Sequence, residues 1–266
     1  TGCEIDRAGM RPMTGTVIPA FTSHFVSHCG SVRSLNEDAY LEAPDLRLWA
    51  VADGMGGHEA GNLASRLVID ALDAVRPASS PEAMIAQVQE QMAAANRHIR
   101  MLSEQRLQGR LTGSTVAVLI LSGETAVCLW AGDSRVYRFR NGTLTRLTRD
   151  HSRTEEMIAL GLLTTDEEAD PRYANIITRA VGTEEHLELE QRVEPLAADD
   201  VFLLCTDGLT KAVTDAELAA MIASGWSTAA TGLVDLALKR AATDNVTVGV
   251  VAFSGADDDP PTLVRQ

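Results

Sequence analysis

Apolar positions along the chain change their period, and the changes divide it into helix-forming and strand-forming stretches. The run LWAVAD at 48–53 is short, apolar and ends in a turn, which predicts a buried strand. After it, Leu63, Leu67, Val68, Leu72 and Val75 recur on one face and predict a helix over about 59–75. Ser80 followed by Pro81 signals the start of a second helix. Along it Met84, Val88, Met92, Ala95, Ile99 and Leu102 keep helical spacing. Strands then dominate. Residues 114–121 and 125–132 are β-rich runs, and Asn141-Gly142 between SRVYRFR and TLTRLT is a two-residue hairpin signal. Ser152 with Glu155 predicts a capping box for a short helix ending near Gly161. HLELEQRV at 186–193 alternates as a half-exposed strand does, and 201–207 reads as a buried strand. Thr214 with Glu217 predicts the cap of a third main helix. A fourth is expected over about 228–241, and VTVGVVAF at 246–253 closes a sheet.

Strands come in consecutive groups and so do helices. That grouping predicts an α+β fold with antiparallel sheets, not a doubly wound βαβ fold. No repeat or linker splits the chain. The expectation is one domain over 17–254, with a flap at about 152–182 and flexible termini at 1–16 and 255–266; the last of these is polar and Pro-rich. The Met and Leu stripes on the helices are read as core, with no cofactor role.

The formal charge of -14 narrows the partners. An acidic surface repels phosphate backbones and anionic lipid, so neither nucleic acid nor a membrane is expected. No apolar run reaches the ~18 residues of a membrane span, and the N-terminus lacks a signal pattern. The four cysteines (Cys3, Cys29, Cys128, Cys205) have neither zinc nor redox spacing, which predicts free thiols in a reducing cytosol. The expected setting is cytoplasmic, and the expected state a monomer.

The candidate chemistry lies in acidic residues at strand ends. Asp53 ends a buried strand, Asp133 follows TAVCLWAG, Asp207 ends VFLLCTD, and Asp244 precedes VTVGVVAF. Any one of them alone is an ordinary turn former or cap. If all four converge, each like-charge pair at ~4 Å repels by roughly 4 kcal/mol at an effective dielectric of about 20. Several such pairs would consume most of a domain's ~5–15 kcal/mol of stability. Few basic residues lie near these motifs, so divalent cations are the expected counter-charge. An all-oxygen donor set suits Mg2+ or Mn2+. Zinc would favour His or Cys, and His58 is the one histidine among these motifs. The segment SVRSLNEDAYLE adds Arg33, whose planar fork suits phosphate, with Glu37 and Asp38. In isolation that segment reads as a charged surface loop.

Two hydrolase classes are excluded on spacing. A cysteine phosphatase needs Arg six positions after its Cys, and Cys205 has Lys211 there. A serine hydrolase built on Gly132-Asp133-Ser134 lacks a late DxxH pair, since Thr183 stands three residues before the last histidine, His186.

The ordered set RxxNED, VADGMGGHEAG, TGST, WAGDSRVY, LTRDHS, TRAVG, LCTDGL and ATDNVTV resembles the metal-dependent protein phosphatases (PPM, type 2C), and DGMGG is closer to their bacterial branch. The motifs run from about Arg33 to Val250. The resemblance implies a four-layer αββα sandwich with the site at one end, between the sheets. It implies two Mn2+ or Mg2+ ions bridged by Asp53, with the Gly54 carbonyl on the first and Asp207 and Asp244 completing the second. A third ion can bind near Asp133 and the Ser134 backbone, shared with Asp207. Glu37 and Asp38 would orient waters at the ions, and Arg33 would grip the substrate phosphate. The implied activity is hydrolysis of phosphoserine and phosphothreonine by an activated water attacking phosphorus in line, on proteins modified by a bacterial Ser/Thr kinase. The alternatives are a non-catalytic binding module on this fold, or a phosphoserine phosphatase of a partner-switching protein. One position departs from animal relatives, which place a histidine after the metal-binding Asp-Gly. Here it is Met55, which cannot donate a proton, and His58 is read as a helix-terminal residue without a catalytic role.

Overall fold

Two antiparallel sheets lie face to face, with helices on both outer surfaces. The structure is a computed structural model that describes residues 21–57, 59–106, 111–163 and 176–254. In chain order the strands are β1 (Phe21–His28), β2 (Asp38–Ala43), β3 (Leu48–Met55), β4 (Gly113–Ser114), β5 (Val116–Ser122), β6 (Thr125–Ala131), β7 (Arg135–Arg140), β8 (Thr143–Arg146), β9 (Glu190–Pro195), β10 (Val201–Cys205) and β11 (Val246–Phe253). The helices are α1 (Glu59–Asp73), α2 (Pro81–Arg106), α3 (Arg153–Ala159), α4 (Asp207–Thr210), α5 (Asp215–Ser224) and α6 (Trp226–Lys239). One sheet has the order β1-β11-β10-β7-β8. The other runs β2-β3-β5-β6-β9, with β4 added to β3. None of the described helices is long and apolar enough to cross a membrane.

The two-residue period of each strand builds the layers. On β3, Leu48, Ala50 and Ala52 pack outward among α1 and α2 residues such as Val68, Leu72, Val88 and Met92. Trp49 and Val51 point the other way, into a layer shared with Phe202, Leu204 and Val251 of the opposite sheet. β10 repeats the division: Leu203 and Cys205 pack among α5 and α6 residues, while Phe202 and Leu204 face inward. Nearly continuous apolar runs therefore mark strands buried on both faces. Trp49 is fully buried in the inter-sheet layer, so Trp49→Ala there costs about 3–5 kcal/mol.

The main helices and the central strands agree with the sequence reading, and six details differ. Leu63, placed on the buried face of α1, is 42% exposed, and the smaller Ala60, Ala64 and Ser65 make the contact with the sheet. β1 and β2 were not foreseen; the ladder of β2 to β3 turns the supposed charged loop into a strand from Asp38 onward. The run at 114–121 is two strands broken at Thr115, whose hydroxyl accepts from Asp53 N–H at 2.9 Å. The alternating stretch becomes a strand only from Glu190. At α3 Ser152 Oγ accepts from Glu155 N–H, but the Glu155 side chain turns to Arg146 and Arg149, so that capping box is half formed. Short α4, starting at Asp207, had no sequence signal. The hairpin turn matches, with positive φ at both Asn141 and Gly142. The expected termini, 1–16 and 255–266, lie outside the described residues, as does the middle of the expected flap, 164–175.

Candidate active site

Period-2 geometry carries Asp53 to the inter-sheet side of β3, two residues beyond Val51 and four beyond Trp49. Asp38 stands directly opposite it in the antiparallel β2–β3 register. On the facing sheet β10 and β11 are neighbours. Asp207 follows β10 through Thr206, and Asp244 stands two residues before β11. Asp133 follows β6 in the connection to β7. All of these carboxylates act on Asp53 electrostatically: Asp38, Asp207, Asp133 and Asp244 each raise its pKa. The strand-end aspartates of the sequence therefore converge at one end of the inter-sheet layer.

Backbone geometry aims them. Gly54 follows Asp53 where α1 comes closest: a Cβ there would lie 2.0 Å from the Gly61 carbonyl oxygen, so no larger residue fits. Before Asp133, Gly132 has φ +116, and a Cβ on it would meet Thr115 Cβ at 2.6 Å. The Gly132 turn is pinned twice by His151. Gly132 N–H donates to His151 Nδ1 (3.1 Å), and His151 N–H donates to the Gly132 carbonyl (2.9 Å). Since Nδ1 accepts, the ring proton is on Nε2, which donates to Glu190 at 2.9 Å. Burial holds this imidazole below the usual histidine range, with Arg179 adding to the effect. Ser134 Oγ shares a 2.7 Å hydrogen bond with Thr115 Oγ1, the atom that accepts from Asp53 N–H.

Burial and mutual repulsion make the cluster costly to ionise. Asp53 is raised well above the usual carboxylate range, first by burial and then by Asp38. Asp38 is pushed up to about 7 by burial, against hydrogen bonds from Thr247 and Thr206. Asp133 is likewise pushed up to about 7, by burial and then by Asp207. Asp207 is raised by burial, which Lys211 opposes.

The chain supplies two cations of its own, contrary to the expectation that few basic residues lie near. Lys211 Nζ is 2.5 Å from Asp207 Oδ2 and 3.3 Å from Asp244 Oδ2. An Arg33 guanidinium nitrogen is 3.0 Å from Asp244 Oδ1, with the side chain 46% exposed. Arg33 is thus joined to the carboxylates and not separate from them. The loop that carries it is tied down by Asn245, whose Oδ1 accepts from Glu37 N–H (2.8 Å) and whose amide donates to the carbonyls of Cys29 and Leu35, both at 3.0 Å.

The residues fit hard divalent cations. Asp38 Oδ1, Asp133 Oδ1 and Asp207 Oδ1 are buried without a hydrogen-bond partner, which marks them as acceptors awaiting a ligand. The donors are oxygens throughout. As the side chains stand, no three His, Cys, Asp or Glu among the described residues close on one point with ligand geometry. Lys211 and Arg33 lie among the carboxylates instead.

The structure brings Arg33, Glu37, Asp38, Asp53, Gly54, Asp133, Ser134, Asp207 and Asp244 into one region. His58 lies outside the described residues. Met55 packs its thioether end toward Gly113. Lys211, Thr115, Thr206, Thr247 and Asn245 escaped the sequence reading. Lys211 stands four residues after Asp207, a spacing that becomes informative only once α4 starts at Asp207. A cavity of about 700 Å³ lies to one side, lined among others by Arg149, His151, Glu155, Arg179 and Glu190, and it shares no residue with the carboxylate cluster.

Comparison with known proteins gives the family. The Protein phosphatase 2C family profile matches residues 27–241. The serine/threonine phosphatase stp of Listeria welshimeri is 31% identical over 238 residues, covering 86% of this chain and 94% of that protein. Among solved structures, PppA, described as a key regulatory component of T6SS in Pseudomonas aeruginosa, superposes with a TM-score of 0.79 at 41% identity, over 88% of this chain and 97% of that one. The catalytic domain of the phosphatase PstP in complex with 2 manganese ions gives a TM-score of 0.77 at 32% identity, over 88% and 98%. With the αββα layers, the ordered motifs and the converging aspartates in place, the chain belongs to the protein phosphatase 2C family, as a protein serine/threonine phosphatase of the bacterial branch.

Proposed function

We propose that the carboxylate cluster binds two Mn2+ or Mg2+ ions and hydrolyses phosphoserine and phosphothreonine on proteins modified by a Ser/Thr kinase. The observation that carries the metal reading is the set of buried, unpartnered carboxylate oxygens on Asp38, Asp133 and Asp207. In this reading Asp53, the Gly54 carbonyl, Asp207 and Asp244 would hold the two ions. Asp133 and the Ser134 backbone would serve a third. Such ions, when bound, acidify water and screen charge on phosphoryl oxygens. Arg33, partly exposed beside Asp244, binds the phosphoryl oxygens through its planar fork. Glu37 and Asp38 orient the attacking water. Met55 offers no proton to the leaving oxygen, so a water held at the site or the solvent would supply it.

Likeness to a protein named serine/threonine phosphatase, 31% identical over 238 residues, supports phosphoserine and phosphothreonine as the substrate groups, and those groups are what a Ser/Thr kinase installs. The complete acidic set favours this reading over a binding module that has lost its ions. Activity on p-nitrophenyl phosphate should vanish in EDTA and return with Mn2+ or Mg2+. Asp53→Asn and Asp207→Asn should each cost at least ~100-fold, since each removes a charged ligand from a shared site. Full activity in chelator would refute the proposal.

A further inference from the structure

Asp38 lies at the end of a hydrogen-bonded ring that joins the two sheets. Its Oδ2 accepts from Thr206 Oγ1 at 2.8 Å and from Thr247 Oγ1 at 2.7 Å. Both threonines are fully buried and belong to the facing sheet's end, where they also bond each other: Thr247 N–H donates to Thr206 Oγ1 at 3.0 Å. Thr247 Oγ1 is 2.7 Å from Ser27 Oγ. Ser27 Oγ accepts from Asn36 Nδ2 at 2.8 Å, and Asn36 Oδ1 accepts from Asp38 N–H at 3.2 Å.

One direction of donation satisfies every member. A carboxylate oxygen accepting two hydroxyls takes the Thr206 and Thr247 protons. Thr247 has then spent its proton, so Ser27 must donate to it. Ser27 in turn accepts from the Asn36 amide, whose carbonyl end faces Asp38 N–H. Donation therefore runs from Asp38 N–H through Asn36, Ser27 and Thr247 back to Asp38 Oδ2. Polarisation around such a chain strengthens each bond. Asp38 Oδ1 is left buried with no partner.

The arrangement opposes a specific motion. Asp38 and Asp53 are direct register partners on adjacent strands, and Asp38 raises the pKa of Asp53. Left alone, the Asp38 carboxylate would turn away from Asp53 and relieve the repulsion. Two hydroxyls on one oxygen prevent that turn.

We propose that Thr206, Thr247, Ser27 and Asn36 are positioning residues for Asp38: they saturate Oδ2 and hold Oδ1 toward the carboxylate cluster, where it fixes the water that attacks the phosphoester. This rests on the reading of Asp38 as a water-orienting group. The ring reaches Asp38 from β1, from the loop before β2 and from both β10 and β11 ends, so the positioning is a property of the closed sandwich.

The test compares Thr247→Val, which keeps the shape and removes the hydroxyl, with Thr247→Ser, which restores it. Ser27→Ala removes a ring member that does not touch Asp38. On a phosphothreonine peptide with saturating Mn2+, Thr247→Val should lower kcat ~10–100-fold with KM changed less than about threefold, a small part of that range. Thr247→Ser should recover most of the loss, and Ser27→Ala should show a smaller loss in kcat alone. Calorimetric titration of each variant with Mn2+ should find tight binding retained. Loss of tight Mn2+ binding along with kcat would show that the threonines hold an ion ligand and would overturn the water-fixing role. So would an unchanged kcat in Thr247→Val, or a Thr247→Ser that fails to rescue. If Thr247→Val does not fold, an unchanged kcat in folded Ser27→Ala overturns the ring by itself. Activity of the parent chain in chelator would instead refute the metal reading and leave the hydroxyl ring to be judged on rescue alone.

Discussion

Lys211 stands 2.5 Å from Asp207, one helical turn after it, and its ammonium reaches Asp244 as well. Burial works against that ammonium, but Asp207 and Asp244 overcome the penalty and hold its pKa above the usual lysine range. A tethered cation on two proposed ion ligands must be displaced or shared when an ion binds. Lys211→Met should therefore tighten Mn2+ binding in a calorimetric titration. In EDTA the same variant should melt a few degrees lower, because a partly exposed pair contributes up to ~1 kcal/mol and ~1 kcal/mol is about 2–4 °C in a domain near this size. Weaker Mn2+ binding would show that Lys211 supports the ion site.

Asp133 differs from the other carboxylates in its support. It follows a glycine turn held by His151, and its Oδ1 is buried without a partner. Asp133→Asn should keep the two tight ions and lose most turnover, as read by metal titration alongside kinetics. Loss of tight binding, or full turnover, would count against a separate third position.

Arg33 is exposed enough to meet substrate and close enough to Asp244 to pair with it. Arg33→Ala should raise KM for phosphoesters roughly tenfold or more, in line with the ~1.5–3 kcal/mol of a charge-assisted hydrogen bond. Arg33→Lys should recover only part of this, because an ammonium lacks the planar fork. Unchanged KM and kcat in Arg33→Ala would reduce Arg33 to a surface charge.

Away from the site, Glu217 accepts from Thr214 N–H at 3.0 Å and pairs with Arg240 at 2.5 Å. Arg240, followed by the Thr214 backbone, lowers its pKa from 4.5 to about 2. A depressed carboxylate stabilises the fold above its unfolded pKa and loses that contribution as pH falls through the folded one. Glu217→Gln should thus be less stable than the parent at pH 7. Urea titrations should show the gap narrowing below pH 4.5 and closing near about 2. A gap independent of pH would assign the loss to packing.

How much of this was legible in the chain depends on the range of the interaction involved. Helices α2 and α5 declared themselves through local chemistry: Ser80 with Pro81, and Thr214 with Glu217. The strands buried on both faces showed as apolar runs, and aspartates at their ends stood out because a charge after such a run needs a reason. Motif order then named the family. Leu63 failed because a hydrophobic stripe says which face is apolar, while the close approach of α1 to the sheet selects small residues such as Ala64 for the contact. β1 and β2 failed because edge strands take their shape from ladder partners: for β1 the partner is β11, at the far end of the chain, and for β2 it is β3, reached through a four-residue connection.

The sequence by itself determined the main helices, the central strands, the order of the acidic motifs and the oxygen-rich chemistry, since each is written in neighbours a few residues apart. Tertiary structure alone decided that Asp38 faces Asp53, that Lys211 and Arg33 reach the same carboxylate, and that Thr206 and Thr247 meet on one oxygen of Asp38. Those contacts join residues as far apart as Asp38 and Thr247, separated by 209 positions. Their geometry comes from strand register and sheet stacking, in which a slip of one residue would turn every side chain of the strand to the opposite face.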